Sequence, residues 1–170
     1  MSTVGHLING QIVNDENRAQ PIFNPSTGDS TRQVVLASKA TVEQAIAAAQ
    51  AAYPAWRATP PIKRARIMFR FKELLEQNAD HIAQLIGEEH GKIQHDALGE
   101  LQRGIENVEY ACGAPELLKG EHSVNVGPAI DAWSEFQPLA WLRVLHRLTS
   151  RPWFRCGCTP WQLFAVTVLS

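Results

Sequence analysis

The chain has 170 residues, 45% hydrophobic and 19% charged, with a formal net charge of −1, the balance of one globular domain or of part of a larger one. The charge is unevenly laid out: residues 140–170 hold four arginines and no Asp, Glu or Lys, which leaves 12 basic against 17 acidic side chains, or −5, in residues 1–139. A mildly acidic body gives no electrostatic case for nucleic-acid binding, and no run reaches the ~18 apolar residues of a membrane span.

The start, MSTVGHLING, lacks the charged and apolar regions of a secretory leader. Residues 4–13 surround Asn9-Gly10, a tight-turn dipeptide, and are expected to form an edge hairpin. Residues 22–28, IFNPSTG, carry turn chemistry, with Pro25 setting φ and Gly28 permitting φ > 0; residues 33–36 follow as a short strand. Thr41 opens a helix with Gln44 at capping-box spacing, and Val42, Ala45, Ile46 and Ala49 form its apolar face. Pro54 is expected to stop it near Tyr53, because a proline pushes its predecessor out of the helical region.

A second helical block begins after Thr59-Pro60-Pro61, cap and early proline in order, with Ile67, Phe71, Leu74 and Leu75 at helical spacing. It breaks near Asn78-Ala79, resumes through Ile82, Leu85 and Ile86, and ends at Gly91-Lys92. A third helix over residues 93–112 carries Leu98, Leu101, Ile105 and Val108. Residues 113–120 read as a break, and residues 123–126 and 133–139 as extended strands around Gly127-Pro128.

This body contains no GxGxxG, P-loop, GxSxG or HExxH, so no catalytic, cofactor-binding or metal-ligating residue is designated from its motifs. Lys63, Arg64, Arg66 and Arg70 read as a solvated basic face. Cys112 reads as packing, which suits a reducing, cytoplasmic setting. His90 and His95 are expected at exposed loop or helix-end positions, and Glu88, Glu89 and Glu100 at solvated helix positions. Cys156-x-Cys158 is too closely spaced for the usual zinc knuckle and has no second ligand pair.

The composition breaks at Leu139/Ala140. Residues 140–170 hold three of the five tryptophans and two of the three cysteines beside their arginines, the bias of a GC-rich message read out of frame. With one G restored ahead of Ala140, permitted codons for AWLRVLHRL regroup as GVVAGITPF, which begins a buried strand. Residues 140–170 are therefore expected to be an out-of-frame tail without a fold of its own, with Pro152 and Pro160 interrupting any helix.

NPSTG (residues 24–28), AYPAW (52–56) and LIGEEHGK (85–92), in this order and spacing, resemble the N-terminal region of the aldehyde dehydrogenase superfamily. GELQRGIENVEYACGAPELLKGE (99–121) and SEFQPL (134–139) are similar to its CoA-acylating methylmalonate-semialdehyde dehydrogenase branch. The resemblance covers residues 4–139 and implies an α/β fold. Residues 1–139 would be the N-terminal part of it, with hairpin, helical blocks and extension strands but without a complete doubly wound sheet.

The resemblance further implies a cytoplasmic homo-oligomer that binds no nucleic acid or membrane and takes a small-molecule substrate. The activity implied is oxidation of malonate or methylmalonate semialdehyde with NAD and CoA as co-substrates, giving an acyl-CoA and CO₂. A thiolate attacks the aldehyde, hydride leaves to NAD, and CoA takes the thioester; the nucleophile and the dinucleotide site of that family lie outside the matched stretch. One role is carried onto this sequence: Arg103, in RGIENVE, would bind the substrate carboxylate, for which a permanently charged, forked guanidinium is suited. The residues alone leave open a surface arginine paired with Glu100, Glu106 or Asn107. The 170-residue chain itself is expected to be inactive and to bind no cofactor. The alternatives are a catalytically inert, truncated pseudogene-like product and a small non-enzymatic interaction protein.

Overall fold

The computed structural model describes residues 2–15 and 18–137, and the two short strands Leu142–Arg143 and Val168–Leu169. Strand β1 (Ser2–Val4) pairs in parallel with β5 (Ser30–Val35), which also pairs antiparallel with β4 (Ala19–Phe23). Pro21 lies in β4, an edge strand, where a missing N–H costs no ladder bond on the open side. Between them, β2 (His6–Ile8) and β3 (Gln11–Val13) form the expected hairpin, with Leu7 opposite Ile12. Its turn residues Asn9 and Gly10 have φ of 49° and 76°, the doubly positive pair of the turn that matches strand twist.

The NPSTG stretch is a closed turn. The Ser26 amide donates to Asn24 Oδ1 at 2.9 Å, the Gly28 amide to the Asn24 carbonyl at 2.8 Å, and Gly28 takes φ +78°. Ile22 and Phe23, read with this turn in the sequence, instead end β4.

Helix α1 (Lys39–Ala58) departs from expectation at both ends. Its cap is Ser38, whose Oγ accepts from the Thr41 amide at 3.2 Å. Thr41 is thus inside the helix rather than its opener. Asp15 organises the start from 23 residues away, accepting from the Ser38 amide at 2.7 Å and from the Thr41 hydroxyl at 2.8 Å. At the other end the helix runs through Pro54 to Ala58. The proline removes one intrahelical bond, and the turn after it is kept by Thr59, whose amide donates to Trp56 O and whose hydroxyl donates to Ala55 O. Thr59 therefore closes α1 rather than capping the next helix; α2 (Pro61–Gln77) starts on Pro60 with Pro61 in its first turn.

Helices α3 (Ala79–His90) and α4 (Gln94–Cys112) follow with the expected breaks. Gly91 ends α3 at φ +67°, its amide on Gly87 O at 2.8 Å, and a Cβ there would sit 3.3 Å from Pro25 Cγ. The NPSTG turn thus rests on the end of α3, and Arg32 of β5 pairs with Glu89 at 3.1 Å beside it.

Helix α4 packs on both α2 and α3. One cluster joins Ala65 and Met68 of α2 to Cys112 and Ala114; a second joins Ala83 and Ile86 of α3 to Ala97. The expected break at 113–120 contains a single-turn helix, α5 (Ala114–Leu117). Beyond it β6 (His122–Gly127) pairs antiparallel with β7 (Ile130–Trp133), so the second strand lies at 130–133 rather than 133–139. The two-residue connection Pro128-Ala129, with Ala129 at φ 60°, allows this earlier return. The proposed break at Leu139/Ala140 and the tail lie outside the described residues, save that β8 (Leu142–Arg143) and β9 (Val168–Leu169) pair in parallel. No helix among the described residues is long and apolar enough to cross a membrane.

Candidate functional site

Arg103, the residue that the resemblance singles out, is on α4. This helix buries Ala97, Glu100, Leu101, Gly104, Ile105, Val108, Ala111 and Cys112, so its other side is left for chemistry. Arg103 lies mid-helix and exposed. Neither Glu100, Glu106 nor Asn107 pairs with its guanidinium: Asn107 Nδ2 donates instead to the Arg103 backbone carbonyl at 2.8 Å. Glu100 turns inward.

That inward turn corrects the sequence reading of Glu100 as a solvated carboxylate. Glu100 is only 8% exposed, its Oε1 is held by Lys92 Nζ, and its Oε2 is buried without a hydrogen-bond partner among the described residues. The signal was present in the spacing, since Glu100 stands one turn from Ala97 and from Gly104 on the buried stripe, and Lys92 follows the helix-ending Gly91. Glu88 and Glu89 are exposed as expected.

The basic run is corrected at one residue. Lys63, Arg66 and Arg70 are exposed, but Arg64 is buried, and burial holds its guanidinium below its ordinary pKa. Lys72 bridges α2 to α4, reaching Glu76 at 2.7 Å and Glu109 at 3.1 Å, and these bonds raise its pKa.

Cys112 packs as expected, against Ala65, Met68 and Ala114. Burial first, and the nearby Glu109 charge second, push its thiol above the ordinary value, the reverse of an activated nucleophile. His90 and His95 are exposed; His95 Nδ1 lies 3.8 Å from its neighbour Asp96, with no other carboxylate oriented on either imidazole among the described residues. Among the described residues no three His, Cys, Asp or Glu side chains converge as a metal site. An open depression of about 320 Å³ lies where Ala79 meets α4, lined by Leu98, Leu101 and Ile105 with His95 and Gln102; Arg103 is not in its wall.

The aldehyde dehydrogenase family profile matches residues 12–145. Malonate-semialdehyde dehydrogenase of Pseudomonas aeruginosa is 63% identical over 139 residues, 82% of this chain and 28% of that protein. The crystal structure of methylmalonate-semialdehyde dehydrogenase from Oceanimonas doudoroffii superposes with a TM-score of 0.82 at 72% identity, over 84% of this chain and 29% of its own. A candidate methylmalonate-semialdehyde dehydrogenase of Sinorhizobium meliloti, crystallised with NAD, superposes with a TM-score of 0.84 at 35% identity, over 99% of this chain and 35% of its own. The chain thus spans under a third of the curated relative's length, and its small sheets and helical block are those of the N-terminal portion of the fold. The chain belongs to the aldehyde dehydrogenase family.

Proposed function

We propose that residues 1–139 are the N-terminal portion of an NAD-dependent, CoA-acylating dehydrogenase of malonate or methylmalonate semialdehyde, and that Arg103 receives the substrate carboxylate. One observation carries the assignment of Arg103. Within the family-matched stretch, the guanidinium stands exposed on α4 with no carboxylate partner among the described residues, while the adjacent acid Glu100 is committed to Lys92. A fork of N–H donors left unanswered among the described residues is available to answer a ligand's carboxylate in two parallel bonds.

The described residues supply the carboxylate contact and not the reacting groups. Cys112 is enclosed and protonated at neutral pH. Nor do the described residues fit a dinucleotide: β5, paired in parallel with β1, leads into α1 through Leu36, Ala37 and Ser38, without a glycine-rich turn. NAD and CoA would be held by the remainder of a longer family protein, acting as a cytoplasmic homo-oligomer on a small-molecule substrate. The NAD assignment is supported by the NAD-bound relative.

Residues 140–170 are proposed to be an out-of-frame tail, so the 170-residue chain alone is catalytically inert. The test is NADH formation with malonate or methylmalonate semialdehyde and CoA, comparing this chain with the gene product restored by one G ahead of codon 140. The restored protein is expected to form NADH and the chain to form none. Steady NADH production by the chain alone would overturn the inertness, and a folded restored protein inactive on both semialdehydes would overturn the function.

A further inference from the structure

We infer that the part-buried Lys92–Glu100 pair is a positioning device for Arg103, fixing the rotation of α4 about its axis and hence the direction from which Arg103 meets a carboxylate. The inference rests on the carboxylate-binding reading of Arg103 given above.

Most of what presses α4 onto α2 and α3 is smooth and apolar: Ala97, Leu101, Ile105, Val108 and Ala111. Apolar burial is non-directional, so a small rotation of the helix changes the buried area little. The pair is directional, as is the more exposed Lys72–Glu109 bridge nearer the far end of the helix. Glu100 is held within α4, and Lys92 is held outside it, directly after Gly91, whose left-handed backbone sits against Pro25 of the NPSTG turn. The bond between them is therefore a strut from the end of α3 to the second turn of α4.

Arg103 lies three residues beyond Glu100, nearly one full turn along the same helix. A rotation of about 10° would carry a guanidinium reaching roughly 8 Å from the axis through about 1.4 Å. Displacement on that scale can cost up to about a hundredfold in a reaction that depends on orientation. Energy alone does not account for the pair, because a buried ion pair is commonly no more stabilising than an apolar pair of similar volume. Its distinctive contribution is geometric.

The experiment compares kcat/KM for malonate semialdehyde and for propanal in the restored full-length enzyme. The variants are Glu100→Gln, Arg103→Ala, the two combined, and the charge-free pair Lys92→Met with Glu100→Leu; each melting temperature is recorded. Glu100→Gln is expected to lower the malonate-semialdehyde-to-propanal ratio about tenfold, mainly through KM for the semialdehyde. The charge-free pair is expected to lose the ratio equally while melting no lower than the parent. Adding Glu100→Gln to Arg103→Ala is expected to lower the ratio no further. A Glu100→Gln or charge-free enzyme that keeps the ratio, or losses that multiply in the combined variant, overturns the strut. If Glu100→Gln does not fold, the charge-free pair decides. An Arg103→Ala enzyme that keeps the ratio overturns the carboxylate reading and the strut with it. A strut that fails alone is recognised by loss of the ratio in Arg103→Ala and its retention in Glu100→Gln.

Discussion

Helices α2 and α4 are similar in length, 17 and 19 residues, and both carry apolar side chains at helical spacing, yet they meet the rest of the molecule differently. Helix α4 lies against α2, α3 and the short α5, and buries eight residues. Helix α2 buries three, one of them Arg64. Its most regular apolar stripe, Ile67, Phe71 and Leu74, is 49%, 37% and 42% exposed, and Phe69 on another side is 57% exposed. A hydrophobic period locates a stripe but does not say which neighbour covers it. In α2 the small Ala65, flanked by Arg64 and Met68, makes the contact, because close approach to Cys112 and Ala114 favours small groups over Phe and Ile.

That contrast can be broken first by truncation. Leu101→Ala, at a side chain 2% exposed on α4, is expected to cost about 2–5 kcal/mol. Phe69→Ala on α2 is expected to stay within about 0.5 kcal/mol, although it removes a larger group. Urea unfolding of both variants measures the difference, and equal losses would mean that α2 is as well packed as α4.

The glycines sharpen it. Gly91→Ala, at φ +67° against Pro25, is expected to cost more than about 1 kcal/mol. Gly99→Ala on the open side of α4, where an added Cβ meets nothing within 4 Å, is expected to stabilise by about 1 kcal/mol. Thermal melts of the two should shift in opposite directions; a shift in the same direction would contradict the placement of one of them. Ser38→Ala, which removes the cap of α1, is expected to cost about 1 kcal/mol, with a parallel loss of helical circular dichroism.

The smallest effect concerns Cys112, where the two helices touch. Its folded pKa lies above the ordinary value of 9.0, so below that value the thiol is protonated in both states. As pH rises, the unfolded chain releases its proton first, and the Cys112 contribution to stability is lost through the folded pKa. Denaturant midpoints should therefore fall from about pH 9 upward more steeply in the parent than in Cys112→Ala. Identical slopes would mean that the thiol is not shielded at the α2–α4 contact.

What the sequence made legible was local. The Asn9-Gly10 hairpin, the Gly91 stop and the span of α4 each depend on residues within a turn of one another. What it hid was set from a distance. Asp15 moves the start of α1 to Ser38, 23 residues on. Lys92 draws Glu100 inward, so that an acid which looks solvated in the text becomes part of the buried stripe. Pro54 looked like an end, but Thr59 restores bonds on its far side. For the candidate site, resemblance singled out Arg103 and the structure supplied its surroundings: exposed, with Glu100 turned away. The spacing alone favoured a surface pairing with Glu100, Glu106 or Asn107, yet side chains three and four apart on a helix meet or not according to what lies beneath them.

The most direct test of the central claim is the selectivity of the restored full-length enzyme carrying Arg103→Ala. Its kcat/KM for malonate semialdehyde relative to propanal is expected to fall about ten- to a hundredfold, as for loss of a charge-assisted bond to a carboxylate. An unchanged ratio, in a protein that melts like its parent, would contradict the role given to Arg103.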